Sequence, residues 1–239
     1  MKKLVLTFLA LSFLFSGCKP KDTTNVATNA PPEIVAPAET PQDVITDGLK
    51  AKGYPFKEDV AFRVTGMPGG TVEDVRLAKL ETTSEGKHKL SLTWKGQLAT
   101  LIGNEEYECT AEGVYAKRVL NADVQPSFVF LPAKLEVGKK WNAKYTVAAS
   151  TGQNLEVTSN FKIVGNQKIK VSLGEFDAVV VQESGTVKTK EINAMLIGKS
   201  WYANGIGLIK TEATQTYTDK AGKKHTNKMT FEAIPLPKK

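Results

Sequence analysis

Residues 140–147, with the sequence KWNAKYTV, alternate between polar and apolar side chains. Trp141, Ala143, Tyr145 and Val147 fall on one side of an extended chain, and the lysines between them fall on the other. Successive side chains of a strand point to opposite faces, so this segment predicts a strand with one face in a core and the other in water. Such a division is typical of antiparallel sheets.

The same alternation recurs in residues 90–94, 155–163 and 229–233. Turn-forming residues occur at 84–86, 165–166, 204–205 and 219–222, where hairpins need them. The stretch from Thr71 to Leu80 fits either a helix or a strand, and we favour a strand. The sequence therefore predicts a mainly β fold of roughly eight to twelve strands, an antiparallel curved sheet that is half-barrel or sandwich-like, with one or two short helices.

One of those helices is predicted over residues 41–52. Thr40 can cap its start, Pro41 suits the first helical position, and Gly53 before Tyr54 ends it. Its apolar side predicts that it closes one opening of the β domain.

The N-terminus has the pattern of an export signal. A positive start is followed by an apolar run from Leu4 to Phe15, which is shorter than the roughly 20 residues that cross a bilayer. The segment Phe15-Ser16-Gly17-Cys18 resembles the lipobox of bacterial lipoproteins, although Phe15 stands where that pattern prefers Leu. The resemblance implies cleavage between Gly17 and Cys18, and a covalent diacylglycerol and N-acyl lipid, such as palmitate, on Cys18.

Three regions follow from these patterns: a signal peptide over 1–17, a tether rich in Pro and Thr over 18–40, and a β-rich domain over 41–239. The residue after Cys18 is Lys19 and not the Asp that, by resemblance to enterobacterial lipoproteins, retains such proteins in the inner membrane. If the cell has two membranes, we expect the protein on the periplasmic face of the outer membrane.

Composition argues against most enzyme classes. The chain of 239 residues holds only two Cys and two His, too few for a Cys/His metal cage or a disulfide framework. The net charge of +7 comes with no Arg after residue 138, whereas nucleic-acid readers favour Arg. We expect no catalytic residues, no metal, no cofactor apart from the lipid, and no nucleic-acid partner.

The one acidic cluster comprises Glu105, Glu106, Glu108 and Glu112. Paired carboxylates could serve an envelope hydrolase, but a solvated edge strand is the favoured interpretation. Cys109 falls on the face opposite Glu108 and is predicted to be a small buried apolar residue.

The stretch from Leu131 to about Glu212 carries a spaced pattern. Its pieces are Pro132-x-x-Leu135-x-Val137-Gly138-Lys139-x-Trp141, then Gly174-x-Phe176-x-Ala178-Val179, then Trp201-Tyr202-Ala203-x-Gly205-Ile206-Gly207-Leu208-Ile209-Lys210. This pattern resembles a family of uncharacterised bacterial envelope β domains. The resemblance implies a half-barrel curled around a helix and an envelope location, but no activity. Periplasmic carriers of lipoproteins have a similar shape, which is an analogy of fold alone.

Two functions remain open at this stage. The domain could bind a hydrophobic ligand or an envelope partner in a concavity lined by Trp94, Trp141, Trp201 and Tyr202. Alternatively, the predicted helix fills that concavity, and the domain is a structural or interaction module without a small ligand. In either case the lipid on Cys18 would hold the protein at the membrane.

Overall fold

The computed structural model describes residues 42–56, 59–67, 70–148, 154–190 and 192–237. The predicted signal peptide, Cys18 and the tether lie outside these residues. Within the described part of the chain, no helix is long and apolar enough to cross a membrane.

Twelve strands and three short helical segments make up the described chain. A 3-10 turn at Gln42–Val44 and helix α1 at Asp47–Ala51 come before the sheet, and helix α2 at Gln97–Leu101 joins the third and fourth strands. The strands are β1 Val60–Met67, β2 Gly70–Thr82, β3 His88–Trp94, β4 Glu105–Thr110, β5 Gly113–Val119, β6 Ala122–Pro132, β7 Lys140–Ala148, β8 Asn154–Val171, β9 Gly174–Lys188, β10 Asn193–Ala203, β11 Gly207–Thr218 and β12 Lys224–Ile234. The prediction of a strand over Thr71–Leu80 is confirmed, since this stretch lies within β2.

The sheet closes into a barrel. Each strand pairs antiparallel with its neighbours in sequence, and β12 pairs with β1 from Ala61 opposite Ile234 to Thr65 opposite Thr230. The prediction of an antiparallel, curved sheet is confirmed. The sheet closes completely into a barrel, so it is more than the predicted half-barrel and is not sandwich-like. The β1–β12 pairing leaves neither strand as a free edge.

The seam between β6 and β7 is the narrowest in the barrel wall. Among the described residues, the pairs there are Val124 opposite Val147 and Gln125 opposite Thr146. Beyond these pairs, the indole nitrogen of Trp141 donates a hydrogen bond of 3.0 Å to the carbonyl oxygen of Val129. A side chain thus bridges the two strands where their backbones separate.

Strand β8 shows how the sequence sets the two faces of the wall. Every second residue from Leu155 to Ile163 is buried, and the residues between them are exposed. The prediction of a turn at residues 165–166 is wrong. The strand continues there through a bulge between Ile163 and Gly165 and stays paired with β9 as far as Val171.

The predicted helix over 41–52 is shorter and interrupted. The chain breaks after the 3-10 turn, and the Thr46 hydroxyl accepts a hydrogen bond of 3.2 Å from the Leu49 amide, which starts α1. Leu49 and Ala51 are 0% exposed. Helix α1 contacts the neighbouring strands β5 and β6, and it also contacts the neighbouring strands β10 and β11. Because β7 to β9 separate these two pairs of strands in the ring, α1 lies inside the barrel wall.

Two main core clusters pack against the barrel wall. The first surrounds α1 and draws on β3 to β10, while the second combines β1, β2, Trp94 of β3 and α2 with the adjoining ends of β9 to β12. Val180 and Val181 point to opposite faces of β9, and both are buried and belong to different clusters, so this strand is covered on both faces. All twelve strands and both clusters lie within residues 42–239, so we expect this segment to fold on its own.

Candidate functional site

A cavity of about 480 Å³ opens at one end of the barrel, and we name it the end pocket. Its walls come from four places: the start of β1, the β8–β9 hairpin, the β10–β11 turn and the chain after β12. The lining residues are Asp59, Val60, Leu173, Phe176, Gly205, Ile206, Ile234, Pro235 and Leu236. Most of these are apolar, and the volume lies in the usual range for small-molecule sites, about 300–1,000 Å³.

Hydrogen bonds fix the hairpin wall of the end pocket against β12. The Leu173 amide donates to the Ala233 carbonyl oxygen at 3.1 Å. The Ser172 hydroxyl and amide donate to the Glu232 carboxylate at 2.6 and 2.8 Å, and the hydroxyl bond is the main cause of a lowered pKa at Glu232. The hairpin is therefore held in place by contacts within the protein.

The one acidic group in the pocket wall is already engaged. Asp59 accepts a hydrogen bond of 3.1 Å from the Lys95 ammonium, and both side chains are exposed. Leu236, in contrast, is 47% exposed although it is apolar. The pocket therefore presents an apolar surface to whatever enters it.

A second feature lies within the barrel, on the inward side of the wall, and we name it the buried cation cluster: Lys52, Arg76, Glu105 and Tyr107. Lys52 Nζ is 3.6 Å from Glu105 Oε2, and the Tyr107 hydroxyl donates a hydrogen bond to the same carboxylate. The Lys52 ammonium also lies 3.8 Å from the centre of the Tyr107 ring. Among the described residues, Lys52 and Arg76 are the buried cations, with exposed fractions of 5% and 6%.

Register places Arg76 inside the barrel. It lies opposite Val60 on β1 and Trp94 on β3, both buried, and its guanidinium lies 4.8 Å from the centre of the Phe62 ring. Directly opposed residues of neighbouring strands share a face, so Arg76 is on the core face. A cation–π contact of this kind is worth about 0.5–2 kcal/mol, less than the cost of burying an unpaired charge.

Burial shifts the proton affinities of the cluster. It lowers the pKa of Lys52 to about 8, against the opposing effect of Glu105, and it lowers the pKa of Arg76. It also raises the pKa of Tyr107. The cluster thus holds positive charge in a place where water does not stabilise it.

Turn β10–β11 connects the end pocket to the cluster. Gly207 follows Ile206 of the pocket wall and has a φ of +93°. A Cβ atom at Gly207 would lie 2.7 Å from the Lys52 carbonyl oxygen and 3.0 Å from Arg76 Nη2. Only glycine allows the turn to approach both cationic residues this closely.

The four aromatic residues proposed from the sequence do not line one concavity. Trp94 and Trp201 belong to the second core cluster, where the Trp201 indole donates to Gln167 at 3.0 Å, whereas Tyr202 belongs to the first. Trp141 stacks on Phe161 and borders a shallow groove of about 400 Å³ beside β7 to β9. None of the four lines the end pocket.

The acidic cluster is divided by the wall of β4. Glu105 faces the interior, while Glu106 and Glu108 form ion pairs at 2.9 and 3.1 Å with Lys89 and Lys117. Glu112 accepts from the Thr110 hydroxyl at 2.6 Å. The carboxylates do not converge on one point, and no metal-binding group of three or more His, Cys, Asp or Glu side chains occurs among the described residues.

Cys109 is buried, as predicted, and lies on the inward face beside Tyr107. Burial raises the pKa of its thiol to about 12. The thiolate is therefore scarce at neutral pH, and Cys109 acts as a packing residue.

The sequence around Arg76 contains a signal of its position. Val72, Asp74, Arg76 and Leu80 occupy the same phase of β2, so charged residues stand at core-facing positions. Phe176 and Ile206 of the end pocket lie in the spaced pattern, but no feature of that pattern separates pocket residues from core residues.

Comparison with known proteins gives a family and a fold. A family model described as DUF3108-like matches residues 106–229, just over half of the chain. No curated protein matches the sequence. A solved structure of a predicted exported protein with a YmcC-like fold from Bacteroides fragilis NCTC 9343 is similar, with 11% identity, a TM-score of 0.50, and coverage of 75% of this chain and 95% of that one. A solved structure of a predicted lipoprotein from Parabacteroides distasonis ATCC 8503 has 14% identity, a TM-score of 0.48, and coverage of 75% and 94%.

Proposed function

The chain belongs to the DUF3108-like family. We propose that it is an exported, lipid-anchored envelope protein whose barrel binds an apolar ligand at the end pocket and catalyses no reaction. The observation that carries the binding role is the apolar cavity of about 480 Å³ with fixed walls. Burying an apolar ligand there would gain about 25 cal/mol for each Å² removed from water.

Two separate observations support the location. The N-terminus carries the export pattern and the lipobox-like segment that ends at Cys18. A protein that shares the fold, from Bacteroides fragilis NCTC 9343, is itself described as exported. With Lys19 after the modified residue, the outer membrane is the proposed destination in a cell with two membranes.

A second candidate function is an interaction module with a filled core and no small ligand. It is favoured by α1, since Leu49 and Ala51 are fully buried inside the barrel and occupy space that an internal ligand would need. The end pocket lies outside that filled region, at the opposite core cluster. The two functions therefore differ in whether the end pocket takes up an apolar molecule.

We expect Leu236→Asp to weaken binding of a fluorescent fatty acid to residues 42–239 by at least about tenfold, because the ligand would desolvate the new carboxylate. Leu236 is already 47% exposed, so the fold should tolerate the change. The measurement is a fluorescence titration of both proteins.

Val137→Asp is the matched control. Val137 is 60% exposed and lies outside the end pocket, so its substitution should leave affinity unchanged. Equal weakening by both substitutions, or no saturable binding to the unsubstituted protein, would contradict the proposed site and favour the interaction module.

A further inference from the structure

We propose that the ligand of the end pocket carries an anionic head group, a carboxylate or a phosphate, which Arg76 and Lys52 of the buried cation cluster bind. This inference rests on the proposed function, because it specifies the chemistry of the same ligand. Both cations are buried, and Lys52 is paired with Glu105, whereas Arg76 has no ion pair or hydrogen bond among the described residues.

Arg76 is buried without a direct ionic or hydrogen-bonding partner among the described residues. Its side chain is 6% exposed, and within the described parts of the chain its guanidinium forms no hydrogen bond and no ion pair. The guanidinium lies 4.8 Å from the centre of the Phe62 ring. A guanidinium has five donors, so the N–H groups of Arg76 can still bind an anion.

The carboxylates near Arg76 already have other hydrogen-bonding or ionic partners. Glu105 lies 3.6 Å from Lys52 and also accepts the Tyr107 hydroxyl. Asp74, two residues from Arg76, accepts hydrogen bonds of 2.7 and 2.8 Å from the backbone amides of Val75 and Leu98, where it holds the start of α2. Neither carboxylate forms an ion pair or a hydrogen bond with Arg76 in the described part of the chain, although Glu105 partly opposes the lowering of the Arg76 pKa by burial.

Arg76 lies next to the wall of the end pocket. Val60 lines the pocket and is the direct cross-strand partner of Arg76. Ile206 also lines the pocket, and the next residue, Gly207, lies against both Arg76 Nη2 and the backbone of Lys52. Arg76 is thus the direct neighbour of one pocket residue on β1, and it also lies against the residue that follows a second pocket residue in the β10–β11 turn.

These features fit an amphiphile with one acidic end. The apolar walls would hold its chain, and the guanidinium would bind the head group through paired N–H donors, a geometry that matches both carboxylate and phosphate. Lys52 would add a second positive charge. Burial lowers the pKa of both cations, and a bound anion would oppose that shift.

The test compares three probes that share one alkenyl chain: oleate, oleyl phosphate and oleyl alcohol. Each displaces the neutral dye Nile red from residues 42–239. We expect oleate, oleyl phosphate or both to bind at least about tenfold more tightly than the alcohol, because one charge-assisted bidentate pair supplies that difference. Arg76→Met should remove the discrimination between the acidic probes and the alcohol.

Arg63→Met is the matched control, since Arg63 is on the neighbouring strand, exposed, and paired with Glu73 at 2.7 Å. It should keep the discrimination. In the absence of ligand, Arg76→Met should melt at the same or a higher temperature, because it replaces a desolvated cation that has no direct ion pair with an apolar side chain. The melting curve also reports whether the variant folds.

The outcomes separate the two proposals. Displacement of the dye by all three probes with equal affinity would overturn the anionic head group and leave the apolar site intact. Failure of all three to displace the dye would overturn the proposed function itself. Whichever acidic probe binds more tightly identifies the head group, and the probe comparison in the unsubstituted protein decides the inference even if Arg76→Met fails to fold.

Discussion

Cys18→Ser abolishes stable attachment of the protein to the membrane, if the lipobox-like segment functions as we propose. The substitution removes the thiol that would carry the diacylglycerol. Each buried methylene of an acyl chain contributes about 0.8 kcal/mol of membrane affinity, so two or three chains make the anchor effectively permanent. We expect the unsubstituted protein entirely in the membrane fraction and the variant either unprocessed or soluble.

Cys109→Ser is the control for this experiment, because Cys109 is the other cysteine of the chain and is buried in the barrel. It should still incorporate radiolabelled palmitate and remain with the membrane. The measurements are palmitate labelling, cell fractionation and the mass of the mature protein. A processed, membrane-bound form of Cys18→Ser would show that the anchor is elsewhere.

Leu49→Ala should lower the free energy of unfolding by about 2–5 kcal/mol, the range found for leucines truncated in well-packed cores. Leu49 is 0% exposed and is held inside the barrel by α1, whose start is fixed by Thr46. Removal of its methyl groups therefore leaves a cavity, because the barrel wall around it is closely packed and cannot move inward to fill the space. Urea denaturation of residues 42–239 measures the difference.

Val137→Ala tests whether that loss is specific to the interior. Val137 is 60% exposed, so its truncation should change stability by no more than about 0.5 kcal/mol. If Leu49→Ala unfolds at the same urea concentration as the unsubstituted protein, α1 does not fill the barrel as described.

Strand faces could be predicted from the sequence because alternation is a local property. The segment from Lys140 to Val147 forms part of β7, and its apolar positions face the interior, as the pattern indicates. The residue at which α1 begins was harder to predict from the sequence, because the side chains of both Thr40 and Thr46 can accept an amide hydrogen bond. Only the packing of Leu49 and Ala51 between distant strands selects the later start.

Closure of the barrel could not be predicted in the same way. It depends on the accumulated twist and stagger of twelve strands, which no single segment encodes. The bulge at Gly165 illustrates the limit, because a Gly-Asn pair is typical of a turn, yet the long pairing of β8 with β9 continues through it. The end pocket depends on four segments that are distant in sequence, so its residues could not be grouped from the sequence.

The binding role is the central claim, and its most direct test is the chemical content of the purified protein. Residues 42–239 are expressed in bacteria and purified without detergent, and an organic extract is compared by mass spectrometry with a mock purification and with Leu236→Asp. We predict a lipid with an acidic head group, near one per protein, that is depleted in the variant. An extract that matches the mock purification, from a protein that also fails to bind added fatty acid, would contradict the claim.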